Sequence, residues 1–464
     1  MSGLTSALNI GCGALFLSQK GIEVTGNNIS NASTEGYSLQ TLTVTSLPTL
    51  EIGGNFVGTG AVATGIERET DSFVTAQIIE KNADCGEYNA KMSPLSQIET
   101  AFSSSDDSLA SEIDAFFESW QELSTNPAGT SERQQVIQMA ENIADSFQSI
   151  NDELTTIQEG INTTLTADIP ALNQTLQEIA DLNVQITATE ATGVTANGLR
   201  DQRDLLLQEV SETIGITCFE SNNGMVSVQL PNGQPLVSAD AASTISTERV
   251  DGVVVLSLNT GNSTVALDVD DVGGEIKGLL SVRDEYIPEV RDKLDQLAYE
   301  FATAVNDVHA SGVDLNGDTG GDLFTFTTST ASSAEAWTGT AASLAAAFSD
   351  TSLIAAGTTG ETGDNANTLA MVELQESAVI DGTTTFAEFY SAVVTEIGVT
   401  VRENESKLSA AEDSLAHLNS SRESISGVSL EEETLKLLEY QTLFEAASKY
   451  ISVVEEMMDT LMSI

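Results

Sequence analysis

The sequence predicts a mainly α-helical protein with a small β insertion, elongated and multi-domain, whose N- and C-terminal helices pair as a coiled-coil-like domain. Three observations predict it: apolar stripes at seven-residue spacing at both chain ends, 3.6-residue periodicity through most of the interior, and short alternating runs confined to residues 215–274.

The N-terminal stripe is Leu8, Leu15, Ile22 and Ile29, with Leu4 ahead of it, on a helix from about Gly3 to Asn31. Its other faces are nearly uncharged, since Lys20 and Glu23 are the only charged side chains in residues 1–31. A helix with a solvated face displays charge there. This one is therefore expected to be contacted on several sides.

The C-terminal pattern holds two series, Leu437, Phe444, Ile451, Met458 and, three residues on, Tyr440, Ala447, Val454, Leu461. Those are a and d positions of a heptad. Glu431, Glu432 and Glu433 stand in the first turn behind Ser429, where carboxylates favour the helix N-terminus and serine caps. The helix is expected to run to Ile464. A terminus reading Leu461, Met462, Ser463, Ile464 needs cover, because each large apolar side chain contributes about 1.5–3 kcal/mol only when buried. The N-terminal helix and neighbouring copies are the expected cover.

Between the ends, helices are expected at Ser72–Phe102, Leu109–Ser124, Ser131–Thr166, Ile169–Thr187 with Pro170 near its start, and Leu199–Ile214. Residues 215–274 change to strands at Ile216–Phe219, Met225–Leu230, Leu236–Val237, Val253–Leu258 and Thr264–Val269. Asn222-Asn223-Gly224 and Pro231-Asn232-Gly233 are the hairpin turns. Helix returns at Glu275–Ser311, Ala366–Glu376 and Phe386–Ser424, around a Thr-, Ser-, Ala- and Gly-rich stretch read as a surface insertion or flexible arm. The expected division is a terminal helical polymerisation domain of residues 1–60 and 425–464, a helical rod of 61–214, 275–311 and 366–424, a small antiparallel β domain of 215–274, and an outer insertion or arm of 312–365.

Seventy acidic against 17 basic residues give a net charge of −53. Such a chain repels phosphate backbones and anionic lipid surfaces, so neither nucleic acid nor membrane is an expected partner. No run of 18 apolar residues exists to span a bilayer. A cleaved secretory signal is not expected either, because the first basic residue is Lys20 and Gly, Asn and Ser interrupt the apolar run. Cys12, Cys85 and Cys218 are an odd, scattered set, read as small apolar side chains.

No catalytic pattern is present. His309 and His417 are the only histidines and neither has metal-ligand spacing, and no CxxC, P-loop or G-x-S-x-G occurs. No cofactor and no enzymatic activity are expected. Asp314-Leu315-Asn316-Gly317-Asp318 and Asp322 alternate oxygen ligands as calcium loops do, but Thr319 and Thr325 stand where the loop needs Gly and an acid. A polar turn is the favoured reading, and a secreted, acidic, calcium-dependent adhesin the alternative from another class.

Asn27-Asn28-Ile29-Ser30-Asn31-Ala32-Ser33-Thr34-Glu35-Gly36-Tyr37 resembles the signature of bacterial flagellar rod, hook and hook-associated proteins. Asn tolerates the left-handed conformation that stops a helix, and Gly36 permits the bend into an extended run. Four further segments resemble the hook-associated protein 1 family: Gln202-Arg203-Asp204-Leu205-Leu206, Gly278-Leu279-Leu280 with Arg283-Asp284-Glu285, Gly312 to Gly317 with Gly321 to Phe324, and Ser426 to Glu433. Departures are Leu39, where the family often has Arg, and the three cysteines. The resemblance implies an axial structural subunit joining hook to filament, exported by the flagellar type III route and closing into a homo-oligomeric ring. Its implied partners are the hook protein, hook-associated protein 3 and a cytosolic export chaperone at the C-terminal region. A hook or distal-rod protein is the alternative within the class, with a middle expected to be mainly β.

Overall fold

The structure is a computed structural model that describes residues 2–52, 55–103, 108–261, 263–328, 335–361 and 363–462. Helix α1 (Ser2–Ser30) ends in the Asn-rich turn and the chain enters β1 (Gln40–Ser46), which pairs antiparallel with β4 (Ala61–Arg68). A bulge between Thr43 and Val44 bends this ribbon, and β2 (Leu50–Ile52) with β3 (Asn55–Val57) forms the hairpin at its tip. The chain then runs through α2 (Ser72–Ser103), α3 (Leu109–Thr125), α4 (Thr130–Glu190) and α5 (Asn197–Ile214).

The expected break between residues 166 and 169 does not occur. Instead α4 is one helix of 61 residues, about 90 Å long. Pro170 removes one backbone donor, but Ile161, Leu165, Ile169, Leu172 and Leu176 stay buried on one side of it. That continuous packing holds the helix through a residue that ends weaker ones.

Two antiparallel meanders follow: β5 (Thr217–Glu220), β6 (Val226–Gln229), β7 (Pro235–Ser238), β8 (Ala241–Ala242), then β9 (Thr244–Val250), β10 (Val253–Asn259), β11 (Thr264–Leu267). Gly224 and Gly233 adopt φ of +81° and +86° in the two hairpin turns read from the sequence. Both sheets are pinned to one side of α4 by asparagines ten or eleven residues apart, a spacing that returns to the same helix face. Asn183 Oδ1 accepts from the N–H of Val226 and its Nδ2 donates to the Val226 carbonyl, at 3.0 and 2.8 Å. Asn173 treats Ile245 likewise, at 2.8 and 2.7 Å, and Asn162 accepts from the N–H of Val254 at 3.1 Å.

Helix α6 (Gly274–Ser281) passes through a π-helical turn at Val282–Tyr286 into α7 (Ile287–Ala310). The stretch read as an insertion or flexible arm packs down in its middle. β12 (Phe324–Thr325), α8 (Thr340–Ser343) and β13 (Ala345–Ala346) lie against α4 and α7, and Ala341, Leu344, Ile354 and Ala355 are buried. Asp295 anchors it by accepting from the N–H groups of Gly339 and Ala341, at 2.9 and 2.8 Å. After α9 (Ala366–Glu373), α10 (Phe386–Ser426) returns along α2, and α11 (Leu430–Met462) closes the chain. The few aromatics concentrate where α3, α7, α10 and β12 meet, with the rings of Phe116, Phe117, Phe301, Phe324 and Phe386 at centroid distances of 5.3 to 6.4 Å.

Among the described residues no helix is long and apolar enough to cross a membrane. The expected helix end at Ser463 and Ile464 lies outside the described residues.

Candidate assembly interface

Helices α1 and α11 lie antiparallel, and the contact is closer than two leucine stripes would allow. A methyl placed on Gly11 would stand 2.8 Å from Ile451 Cγ1, and one on Gly21 would stand 2.5 Å from the Tyr440 ring. Buried along α1 are Gly11, Ser18, Gly21, Val24, Thr25 and Asn28. The seam therefore consists mostly of small and polar residues at the Leu4 + 7 positions and beside them. Leu4, Leu8, Leu15, Ile22 and Ile29 flank it, each half-buried. On α11, Ala447 and Val454 are buried, Leu437, Tyr440, Ile451 and Met458 half-buried, and Phe444 and Leu461 exposed.

The expectation that α1 is contacted on several sides has a source inside the chain. The β1–β4 ribbon lies on a second side of α1: Gly60 approaches Ile10 and the Ala61 carbonyl approaches Gly13. Ribbon and α11 thus hold α1 between them, which removes the need for charge on either face.

At the base of the pair, Asn28 is 1% exposed and uses its whole amide. Its Nδ2 donates to Glu433 Oε2 at 2.8 Å and to the Gln40 carbonyl at 2.9 Å. Its Oδ1 accepts from the Gln40 N–H at 3.1 Å and from the Tyr37 hydroxyl at 2.7 Å. Lys436 Nζ supplies the other oxygen of Glu433 with a partner at 2.8 Å. Burial, reinforced by the charges of Asp201 and Glu433, pushes the Tyr37 hydroxyl up to about 12. Asn31 closes the turn through a bond from its Nδ2 to the Asn27 carbonyl, and Gly36, at φ +75°, redirects the chain over Leu205.

Glu433 was legible only as a first-turn carboxylate. It is in fact a seam residue, seven positions before Tyr440 in the same heptad series, and that spacing is the signal that could have identified it. Gly11, Ser18, Gly21 and Thr25 carry no apolar signal, so the seven-residue stripes do not single them out.

The segment Gln202 to Leu206 ties this base to the helical body. Asp201 accepts from the Ser38 N–H at 3.2 Å and, with Asp204, receives Arg68 Nη1 at 2.9 and 2.7 Å. Burial opposes the Arg68 charge, but Asp204 and Asp201 outweigh it and hold its pKa above the usual value. Arg203, fully buried, donates to Asn183 Oδ1 and the Gly224 carbonyl at 3.1 and 2.6 Å, so one short motif joins the ribbon, α4 and the first sheet.

Asp314 Oδ1 accepts from the N–H groups of Asn316 and Asp318 at 2.8 and 2.9 Å, which closes the Asp-, Asn- and Gly-rich stretch as an Asx turn. Among the described residues, no group of three or more His, Cys, Asp or Glu is placed to hold a metal.

Comparison with known proteins agrees along the chain. The family model of the flagellar hook-associated protein FlgK helical domain matches residues 95–324, that of the flagellar basal body rod FlgEFG protein C-terminal matches 420–464, and that of the flagella basal body rod protein matches 8–37. Flagellar hook-associated protein 1 of Bacillus subtilis is 30% identical over 97% of this chain and 96% of its own length. That of Escherichia coli is 25% identical over 99% and 100%. The solved flagellar hook junction protein FlgK from Burkholderia pseudomallei matches 76% of this chain and all of its own with a TM-score of 0.68 at 18% identity, a likeness of fold. With a relative 30% identical across nearly the whole length, the chain belongs to the flagellar hook-associated protein 1 family, and as a member it is a structural protein of the flagellum and not an enzyme.

Proposed function

We propose that the chain joins hook to filament as a subunit of a ring that assembles through its terminal helices. The hook protein lies on one side, hook-associated protein 3 on the other, and a cytosolic export chaperone holds the C-terminal region before assembly. The observation that carries this reading is α11 itself. It leans on α1 along one face and leaves Leu435, Leu438, Val453, Met457 and Met462 open to solvent. Exposed apolar surface of that extent marks an interaction site. Residues 1–60 and 425–464 serve as the polymerisation domain, with Leu4 to Ile29, Asn28, Asn31, Gly36, Tyr37 and the α11 heptads as its working residues. Residues 61–214, 275–311 and 366–424 form the rod next outward, and 215–274 and 312–365 the outer parts. The protein is exported by the flagellar type III route and works outside the cell, in the flagellum.

Deletion of residues 425–464, scored separately for secretion and for attachment to the hook, tests this. Loss of both is expected, because the same segment serves the chaperone and the packing. Normal attachment of the truncated chain would overturn the reading.

A further inference from the structure

We infer that the tip of the β1–β4 ribbon of one copy docks on the open stripe of α11 of the next copy, so that the contact is head-to-tail. The inference deepens the assembly reading above and rests on it.

Two apolar surfaces in the terminal part of the chain are uncovered. One is the ribbon tip, where Phe56 is 75% exposed and Leu47, Val57 and Val62 are also open. A two-stranded ribbon is marginal by itself, and this one rests on α1 from Gln40 to Gly60 with Phe56 exposed beyond it. The other is the stripe Leu435, Ala446, Val453, Met457, which recurs at helical spacing on a flank of α11 beside its seam with α1. Within one chain the ribbon and α11 each pack on α1, at Gly13 and Gly11 respectively.

Charge selects between the possible pairings. α11 carries eight carboxylates against Lys436 and Lys449, and Glu439 and Glu456 lie within or beside the stripe. Setting α11 against α11 about a two-fold axis would crowd these acids at a contact with low dielectric, which is costly. Residues 40–66 hold a single charged side chain, Glu51. The ribbon tip is thus an apolar surface that the acidic helix can accept without repulsion. A contact between two different patches propagates from copy to copy, closing as a ring or continuing as a helix.

The test uses the full chain in a Cys12→Ser background, with Phe56→Cys on one tagged population and Val453→Cys on another, co-expressed and incorporated into flagella. A short bifunctional maleimide is then applied to the isolated flagella. The expected product is a dimer carrying both tags, absent when either population is used alone. Dimers of Val453→Cys with itself, or a link from it to a different flagellar protein, would overturn the head-to-tail contact while leaving assembly through the ends intact. So would incorporation with no cross-link. Failure of the Cys12→Ser parent to incorporate, where the unmodified chain does, is addressed by Phe56→Asp and Phe56→Leu in the unmodified chain. Phe56→Asp is expected to lower incorporation at least tenfold with an unchanged circular dichroism spectrum, and Phe56→Leu to retain it. Equal incorporation of the two would also overturn the proposal. Complete absence of α11-dependent incorporation in the unmodified chain would instead remove the assembly reading itself.

Discussion

Asn28 and Glu433 stand 405 positions apart in the chain and meet in a buried hydrogen bond of 2.8 Å. A buried polar pair that bridges the two helices fixes register, because every shifted alignment strands both groups. Asn28→Asp sets a second carboxylate against Glu433 and removes the donors. It is expected to cost about 3 kcal/mol or more in the terminal pair. Glu433→Gln keeps an acceptor for Asn28 and should cost about 1 kcal/mol or less. Hydrogen exchange of α1 amides reads both, and equal protection in the two variants would count against the pin.

Gly21 lies against the face of Tyr440 with no room for a methyl group. Gly21→Ala should therefore destabilise the pair by about 1–3 kcal/mol even though alanine favours helix. The double variant with Tyr440→Ala should recover part of the loss. A double-mutant cycle with no coupling would place the constraint elsewhere.

Ile451 abuts Gly11 at the middle of the seam. Ile451→Asp puts a carboxylate there, so flagellar incorporation should fail while the central domains retain their melting transition. Motility and incorporation at the level of the parent chain would be the contrary result.

His309 is sealed between two modules. Its Nδ1–H donates to the Gly321 carbonyl at 2.6 Å and its Nε2 accepts from the Ala355 N–H at 3.0 Å, which defines the neutral tautomer. Burial lowers its pKa, against the opposing pull of the Gly321 bond and of Asp322 and Asp314, with Arg133 adding to the depression. Because the folded value lies below the ordinary one of about 6.5, the stabilisation is complete above that pH and is lost as pH falls through the depressed value. Melting temperature measured from pH 8 to pH 4 should show a His309-dependent decline that His309→Gln reduces. An unchanged profile in that variant would assign the decline to the carboxylates.

Much of the fold could be read in advance because long helices announce themselves by period. Leu437 to Leu461 gave both series of α11, and the turn signals at Gly224 and Gly233 placed the hairpins. What escaped follows from the same reliance on apolar contrast. Strand β9, Thr-Ile-Ser-Thr-Glu-Arg-Val, has one inward apolar residue in its first half, Ile245, and is held as much by Asn173 as by packing. Pro170 signalled a boundary locally, while the buried row from Ile161 to Leu176 that overrides it acts through tertiary contact. At the interface the visible leucines and isoleucines mark the shoulders of α1. Its centre is drawn in glycine, serine, threonine and asparagine, residues that ordinarily signify turns.

The attachment of both sheets to α4 through Asn162, Asn173 and Asn183 has a mechanical consequence. Each clasp joins a strand to the same unbroken helix, so a load along the long axis is borne by in-line main-chain bonds rather than by sheets sliding over one another. A subunit pulled lengthwise with a force probe should stay stiff until α4 itself yields, and Asn173→Ala should introduce an earlier, softer step as the second sheet slips.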